Sequence, residues 1–415
     1  MVQMDLEGFP SSSNEEFVED GLECVKLKFV RDVKDIDDAP EYAPEYVYQH
    51  FGDSEKIFGY KNLKLTLVYS EATMKVFPII QYDKKINEAK EGVKADDLIT
   101  KLKDQLPEEQ MDMQAESIDA FRSMLAKEDS FKPYGELISK FTIGDNTYEV
   151  YKVEERSPES DQYLTRVQTL ALLYIHAAEY TEHDDKWINY FVYSSKARVD
   201  GVPGNIYSLA GYASVYRFYG YPEMIRPRMA QMLLLPAFRG CGLGASFLKR
   251  VQEDLIVRKE VRDTTVEDPA DGYKYLRDYV DCITCSTLPE FAPEKLKGGF
   301  TEEMFTAANK HWKICKQQCR RVYEILRLRS INKKNATEMK EYSMYIKRRL
   351  GRPFHRSDKD WRKINAALDK EEINQIVASE LSEEDKNKQL DQLYESEVEE
   401  YKVVIERMER YPHII

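Results

Sequence analysis

The sequence predicts an α+β protein: a mixed, mostly antiparallel central sheet flanked by helices, with an N-terminal α+β domain before it and a helical region after it. Three observations carry that prediction. Alternating apolar runs of strand length recur through the first two-thirds of the chain. One of them runs straight into a turn with closely spaced glycines and then into a helix. Beyond Asp271 the apolar residues fall almost entirely at helical spacing.

Length and composition set the bounds. The chain has 415 residues, 42% apolar and 33% charged, which suits two or three domains with real cores rather than a disordered chain. No run approaches the ~18 apolar residues of a membrane-spanning helix, so no membrane association is expected. Met1–Pro10 lacks the basic-then-apolar layout of a secretory signal. The six cysteines (Cys24, Cys241, Cys282, Cys285, Cys315 and Cys319) are too few for a disulfide framework of this size and point to a reducing, intracellular compartment. Net charge is −13, and residues 1–60 hold most of the excess, with 15 Asp and Glu against five Lys and Arg. An acidic surface attracts basic partners and repels nucleic-acid phosphates, so direct nucleic-acid binding is not expected. The same acidity is also compatible with a merely solubilising surface.

Element by element, residues 1–22 form a polar leader, expected to be disordered over Met1–Asp20. An N-terminal α+β domain follows over 23–131. Val25–Val30, Leu63–Tyr69 and Lys75–Ile80 alternate as strands, the last two as a hairpin, and Asp96–Gln105 and Ser117–Lys127 have amphipathic helical spacing. Residues 132–270 form the central domain. It holds a strand at Tyr148–Val153, a long helix over Asp161–Tyr180, and strands at Trp187–Tyr193, Ser208–Tyr216 and Met229–Leu235, the first two joined by a turn at Asp200–Gly204. A helix over Ala245–Glu253 and a short strand at Thr264–Val266 complete it. Residues 271–352 form a helical domain with helices over Gly272–Cys282, Thr301–Arg329 and Asn335–Leu350. Residues 353–415 form a helical arm, over Asp358–Lys370 and Glu383–Arg410, either packed on the body or offered to a partner.

The segment Gln231 to Ala245 carries the strongest chemical signal. The apolar strand through Met232, Leu233 and Leu234 passes into Arg239-Gly240-Cys241-Gly242-Leu243-Gly244-Ala245 and on into a helix. Glycines let backbone N–H groups converge on a ligand, and the helix start adds unpaired donors and a positive dipole end, which together suit a diphosphate. The helix opens Gly244-Ala245-Ser246 without the lysine of a nucleoside-triphosphatase loop. The Gly-x-Gly-x-Gly spacing, late in an antiparallel sheet, is not that of a dinucleotide fingerprint.

Arg239-x-x-Gly242-x-Gly244 resembles the acetyl-CoA loop of the GNAT acetyltransferases, which makes the central domain GNAT-type. Further segments narrow the resemblance: Phe51–Glu55, Phe58–Lys61, Ile225–Leu233, Val266–Pro269, Lys274–Asp278 and Arg320–Arg327. In that order, from about Leu27 to Leu350, they resemble the catalytic subunits of the type B histone acetyltransferases, enzymes acting on newly made histone H4. The resemblance implies acetyl-CoA as co-substrate, no metal, and transfer to lysines of the histone H4 tail. It also implies histone H3 and a WD-repeat histone chaperone as companions, and traffic between cytoplasm and nucleus.

It implies site residues as well. A lysine ammonium, with a pKa near ~10.4, cannot attack a thioester before losing a proton, so a base is required. The resemblance places that base at Glu267, with Asp268 beside it and Pro269 ending the strand; the alternative is that the three residues cap the following helix. Where relatives carry an acidic residue on the long helix, His176 stands here. Met232, Leu233 and Leu234 would pair through their backbone with the pantetheine arm, and Arg239 to Ala245 would wrap the diphosphate. Substrate recognition falls on Asp53, Ser54 and Glu55, on Trp187, and on Tyr216, Arg217 and Phe218, where carboxylates and aromatic faces suit a lysine-rich tail. Arg217 is the odd member, a cation expected to repel or reposition part of the tail.

Other readings stay open. Cys282-x-x-Cys285 and Cys315-x-x-x-Cys319 superficially suggest zinc but lie in helical segments without knuckle turns. The basic stretch Arg320–Arg352 suits nucleic acid, nuclear import or a solvated helix face. Acetylation of a small amine or a protein N-terminus, and a non-catalytic histone chaperone on the same fold, are the functional rivals.

Overall fold

The computed structural model describes residues 15–87, 92–105, 117–182, 184–198, 203–332, 335–354 and 382–414. The chain divides into two compact units: one takes the residues up to Tyr219 together with Pro227–Leu243, the other Gly220–Arg226 together with Gly244–Ile414. The expected α+β class is what the structure shows.

In the first unit, β1 (Val25–Val30), β2 (Lys64–Ser70) and β3 (Val76–Gln81) form a three-stranded sheet in that order. β2 and β3 are the expected antiparallel hairpin, whereas β1 runs parallel to β2. Helices α1 (Leu98–Lys103) and α2 (Ile118–Leu125) lie inside their expected segments, with Asp97 and Ser117 as N-caps. Most of the expected disordered leader lies outside the described residues. Its end is ordered, since Val18–Asp20 pairs antiparallel with Lys56–Phe58.

The larger sheet contributes five strands to this unit, β4 (Glu136–Ile143), β5 (Asn146–Val153), β6 (Trp187–Ala197), β7 (Asn205–Gly220) and β8 (Met224–Leu234), neighbours in chain order. β4–β5, β5–β6 and β6–β7 are antiparallel. The sequence reading does not include β4, in which Phe141 alone is buried, so that little apolar alternation marks it. Three of these strands outrun their predicted spans: β6 continues to Ala197 rather than Tyr193, β7 runs over Asn205–Gly220 rather than Ser208–Tyr216, and β8 starts at Met224 rather than Met229 and ends at Leu234 rather than Leu235. Asp200, Gly201 and Val202 of the predicted turn lie outside the described residues.

Helix α3 (Pro158–Tyr174) starts with a capping box between Ser157 and Ser160 and Pro158 in its first turn. Twelve of its residues are buried, from Ser160 to Tyr174. A helix apolar on most of its circumference needs cover on both sides. Leu27, Leu65 and Leu67 of the small sheet and Phe191, Tyr193 and Leu233 of the large one share a single core with it. The predicted helix to Tyr180 is too long. The backbone N–H groups of Glu45 and Tyr46 donate to Leu173 O at 2.8 and 3.1 Å, satisfying a carbonyl at the helix end. Ile175 then turns extended, and Ala177 takes a left-handed φ of +52°.

In the second unit, α4 (Leu243–Ile256, its first residue in the other unit) is followed by β9 (Thr265–Val266) and by helices α5 (Asp271–Cys285), α6 (Glu302–Trp312), α7 (Lys316–Ser330), α8 (Ala336–Leu350) and α9 (Glu383–Arg410). The single helix predicted over Thr301–Arg329 is two. Lys313 adopts φ +53°, and the break frees Ile314 to bridge Thr264, whose N–H donates to Lys313 O at 2.8 Å. The predicted helix at Asp358–Lys370 lies outside the described residues.

Helix α9 is packed rather than offered: Tyr401, Val404 and Met408 are fully buried. Arg321 donates to Asp278 at 2.6 Å, Glu397 at 2.9 Å and Glu400 at 2.7 Å, tying α7 to both α5 and α9. Arg349 lies 2.8 Å from buried Glu324 and 3.1 Å from Glu397 of α9, and Tyr401 Oη donates to Glu324 at 2.7 Å. Lys347 pairs with Asp391. The basic stretch from Arg320 therefore spends Arg321, Lys347 and Arg349 on the acidic C-terminal helix, which neither the nucleic-acid nor the solvated-face reading anticipated.

Candidate active site

The strand-to-helix turn is built from close backbone packing. A Cβ on Gly211 of β7 would meet Leu233 O at 2.5 Å and Leu234 Cα at 3.1 Å, so β8 lies tight against that strand. Leu235 N–H donates to Ala210 O at 2.9 Å, and Pro236–Phe238 forms a single 3-10 turn. Leu233 is buried while Met232 and Leu234 are half-buried.

Gly240 and Gly242 then take φ values of +80° and +92°, in the region L side chains avoid. A Cβ at either would have nothing within 4 Å, so the turn borders open space rather than packed side chains. Immediately beyond, the 14-residue α4 begins at Leu243. The turn thus sets side-chain-free backbone against open space at a helix start, a shape that fits a diphosphate group. Gly244 and Ala245 lie in the first turn of α4, and Cys241 is exposed with its thiol directed at Phe238 O, 3.3 Å away. Leu235, Phe238 and Cys241 also wall a cavity of about 480 Å³ with Phe29, Tyr42 and Tyr148. Burial, with Cys241 close by, pushes the Tyr148 hydroxyl up to about 12.

Arg239 is committed within the fold. Its Nη1 donates to Glu45 at 2.7 Å, its Nε to Leu234 O at 2.9 Å, and the guanidinium lies 4.9 Å from the Tyr174 ring. It braces the end of β8 against the end of α3. Nothing in the sequence pattern pointed to Glu45 as its partner, 194 residues away.

In the second unit, β9 ends at Val266, and Glu267 and Asp268 just beyond it are both exposed. Asp268 has φ +30°, a backbone conformation that costs free energy in a non-glycine residue. The N-cap position of α5 is Ala270, which has no side-chain capping bond, so the residue at the cap is not Glu267, Asp268 or Pro269.

His176 is not on the long helix as expected. It lies exposed on the turn after α3, its ring 5.4 Å from Tyr46 and 5.6 Å from Tyr48. Of Asp53, Ser54 and Glu55, the first two are exposed on a turn, while Glu55 points inward: its Oε1 accepts from Val47 N and Tyr48 N at 2.9 and 3.2 Å. Trp187, Tyr216 and Phe218 do come together. Trp187 and Tyr216 are cross-strand partners with rings 4.9 Å apart, and Phe218 is 4.7 Å from Tyr216. Arg217 is turned away from that surface, with Nη1 donating to Glu154 at 2.7 Å and the rest of the guanidinium to the carbonyls of Asp185 and Lys186. The expected repulsion of a basic tail by Arg217 is thereby offset by Glu154. Cys282, Cys285 and Cys319 are buried in helices, Cys315 is the α7 N-cap residue, and no cluster of three or more His, Cys, Asp or Glu suited to a metal occurs among the described residues.

A mostly antiparallel sheet, with a strand that runs through an open glycine turn into a helix, fits the class of transferases that bind an acyl donor. Residues 17–176 match the family model described as histone acetyl transferase HAT1 N-terminus, and residues 277–328 that described as histone acetyltransferase type B catalytic subunit, C-terminal. The chain is 36% identical to the histone acetyltransferase type B catalytic subunits of Rattus norvegicus and of Homo sapiens, over 93% of its own length and 92% of theirs. It is 28% identical to that of Cryptococcus neoformans, over 94% of its length and 98% of the relative. The chain belongs to the histone acetyltransferase type B catalytic subunit family. It is an acetyltransferase, and the family implies acetyl-CoA as its co-substrate.

Proposed function

We propose that the enzyme transfers acetyl from acetyl-CoA directly to lysine side chains in the N-terminal tail of newly made histone H4. The observation that carries this reading is the open cradle at Gly240 and Gly242, followed at once by the start of α4. In this reading the backbone amides of Gly240 to Ala245 hold the diphosphate, and the edge of Met232, Leu233 and Leu234 pairs with the pantetheine arm. Acetyl-CoA supplies the activated acetyl group. Glu267 accepts the proton from the lysine ammonium, which frees the amine lone pair for attack. Asp268 stands beside it, and His176, flanked by Tyr46 and Tyr48, is the second candidate acceptor.

The peptide is read by Asp53 and Ser54 and by the Trp187–Tyr216–Phe218 surface, with Glu55 and Arg217 shaping the turns that carry them. The acidic excess of residues 1–60 suits a basic tail, whether presented alone or with histone H3. A WD-repeat histone chaperone as companion subunit, and work in both cytoplasm and nucleus, follow from the same reading.

Two assays test it. An H4 N-terminal peptide is expected to be acetylated well ahead of spermidine; the reverse preference would select the small-amine reading. Glu267→Gln is expected to lower kcat by at least about 100-fold, the usual worth of a general base. The melting-point rise on adding acetyl-CoA should persist in that variant. Near-normal turnover would remove Glu267 as the base.

A further inference from the structure

The turn before β6 is held from outside the strand. Arg156 donates to Asp184 O at 2.9 Å while its Nε pairs with Asp161 at 2.8 Å. Arg217 donates to Lys186 O at 3.3 Å and to Asp185 O, with Glu154 orienting it at 2.7 Å. The Arg217 backbone N–H reaches Lys186 O as well, at 3.0 Å, and Lys186 N–H donates to Asp184 Oδ1 at 2.9 Å. Three successive carbonyls are thus fixed by two guanidinium forks, each steadied by its own carboxylate. Such a turn delivers its side chains to set places.

One of them is Lys186. Its Nζ lies 5.8 Å from the centre of the Tyr216 ring, near the outer limit of a cation–π interaction, and interacts with the Tyr216 hydroxyl as well. Phe218 carries a cation of its own, the Arg228 guanidinium at 4.4 Å. The two differ in what can move them. Arg228 is half-buried on β8, whereas the Lys186 side chain is exposed and can swing into solvent.

We propose that Lys186 is a resident competitor at the peptide surface: its ammonium occupies the Tyr216 side chain, which a cationic side chain of the substrate would otherwise take. This rests on the reading of Trp187 and Tyr216 as the peptide platform. Binding is then an exchange of one cation for another on the same ring. An isolated positive charge gains little by the exchange, whereas a segment bearing several gains from its remaining charges at acidic neighbours such as Asp185. Lys186 in this way raises the basicity a peptide needs in order to bind.

The test uses the full chain, saturating acetyl-CoA and an H4 N-terminal peptide, with K186M, Y216L and the double variant. K186M is expected to lower the peptide KM by about two- to fivefold, the worth of an exposed cation–π contact. In the Y216L background the same change is expected to do nothing further. A KM that is unchanged or raised in K186M overturns the proposal. So does an equal drop in the Y216L background, which would mean simple charge repulsion without the ring. If Y216L alone leaves the peptide KM at the wild-type value, the platform reading itself fails, a result distinct from failure of the competition alone.

Discussion

Arg239 and Glu45 form an ion pair at 2.7 Å that joins the turn after β8 to the segment capping α3. Both side chains are well exposed, at 40% and 49%, so the pair contributes little to stability. Its effect is on geometry, because the same guanidinium donates to Leu234 O in the strand expected to meet pantetheine. Arg239→Ala is expected to raise the acetyl-CoA KM by roughly two- to fivefold while changing stability by no more than ~0.5 kcal/mol. Arg239→Lys should rescue only part, since an ammonium cannot span Glu45 and the carbonyl with a fixed fork. Steady-state kinetics with urea unfolding on each variant checks both halves.

Gly242 combines a left-handed φ with open space around its missing Cβ. A side chain there would be strained by ~1–2 kcal/mol and would project into the volume assigned to the diphosphate. Gly242→Asp adds a negative charge to that strain and is expected to raise the acetyl-CoA KM by at least about tenfold. Gly242→Ala carries the strain without the charge and should fall between. An unchanged KM for the aspartate variant would place the diphosphate elsewhere.

Glu149 is 3% exposed at the meeting of β4, β5, β6 and β7. Burial pushes its carboxyl up, but hydrogen bonds from Lys140, Tyr151 and Ser195 outweigh that and hold it below the usual carboxylate range. A carboxylate with a lowered folded-state pKa stabilises the fold above its unfolded pKa of about 4.3 and loses that contribution as pH falls through the folded value. Glu149→Gln is therefore expected to cost about 1–3 kcal/mol near pH 7. The gap from wild type should narrow as pH is taken below about 4. Urea unfolding across that range is the measurement.

Much of the architecture was visible in the residues themselves. Val25–Val30 and Glu383–Arg410 match observed elements end to end, because a period of two or of 3.6 is imposed locally by which side faces the core. The loop from Arg239 to Ala245 was equally visible, since only glycine tolerates the backbone at residues 240 and 242. β4 was missed because an edge strand with few buried side chains carries little alternation.

The misplaced helix ends have a different origin. α3 stops at Tyr174 because amides of Glu45 and Tyr46, distant in sequence, take the carbonyl that the next turn would have used. The break at Lys313 belongs to the bridge between Ile314 and Thr264. Neither partner is coded near the position it terminates, and the same holds for Glu55, whose inward turn depends on the amides of Val47 and Tyr48.

Sequence alone determined the class of fold and the glycine turn, since each depends on local period or on backbone freedom; the residues proposed to touch the peptide came from the resemblance to a known family. Tertiary structure alone decided which charges remain available for binding. Arg217 and Arg239 are cations in the sequence, yet Glu154 and Glu45 consume them, and Lys186, unremarked in the sequence, comes to rest on Tyr216. The physical reason is that a charge acts through its nearest neighbours in space, and those neighbours come from segments that only folding brings together.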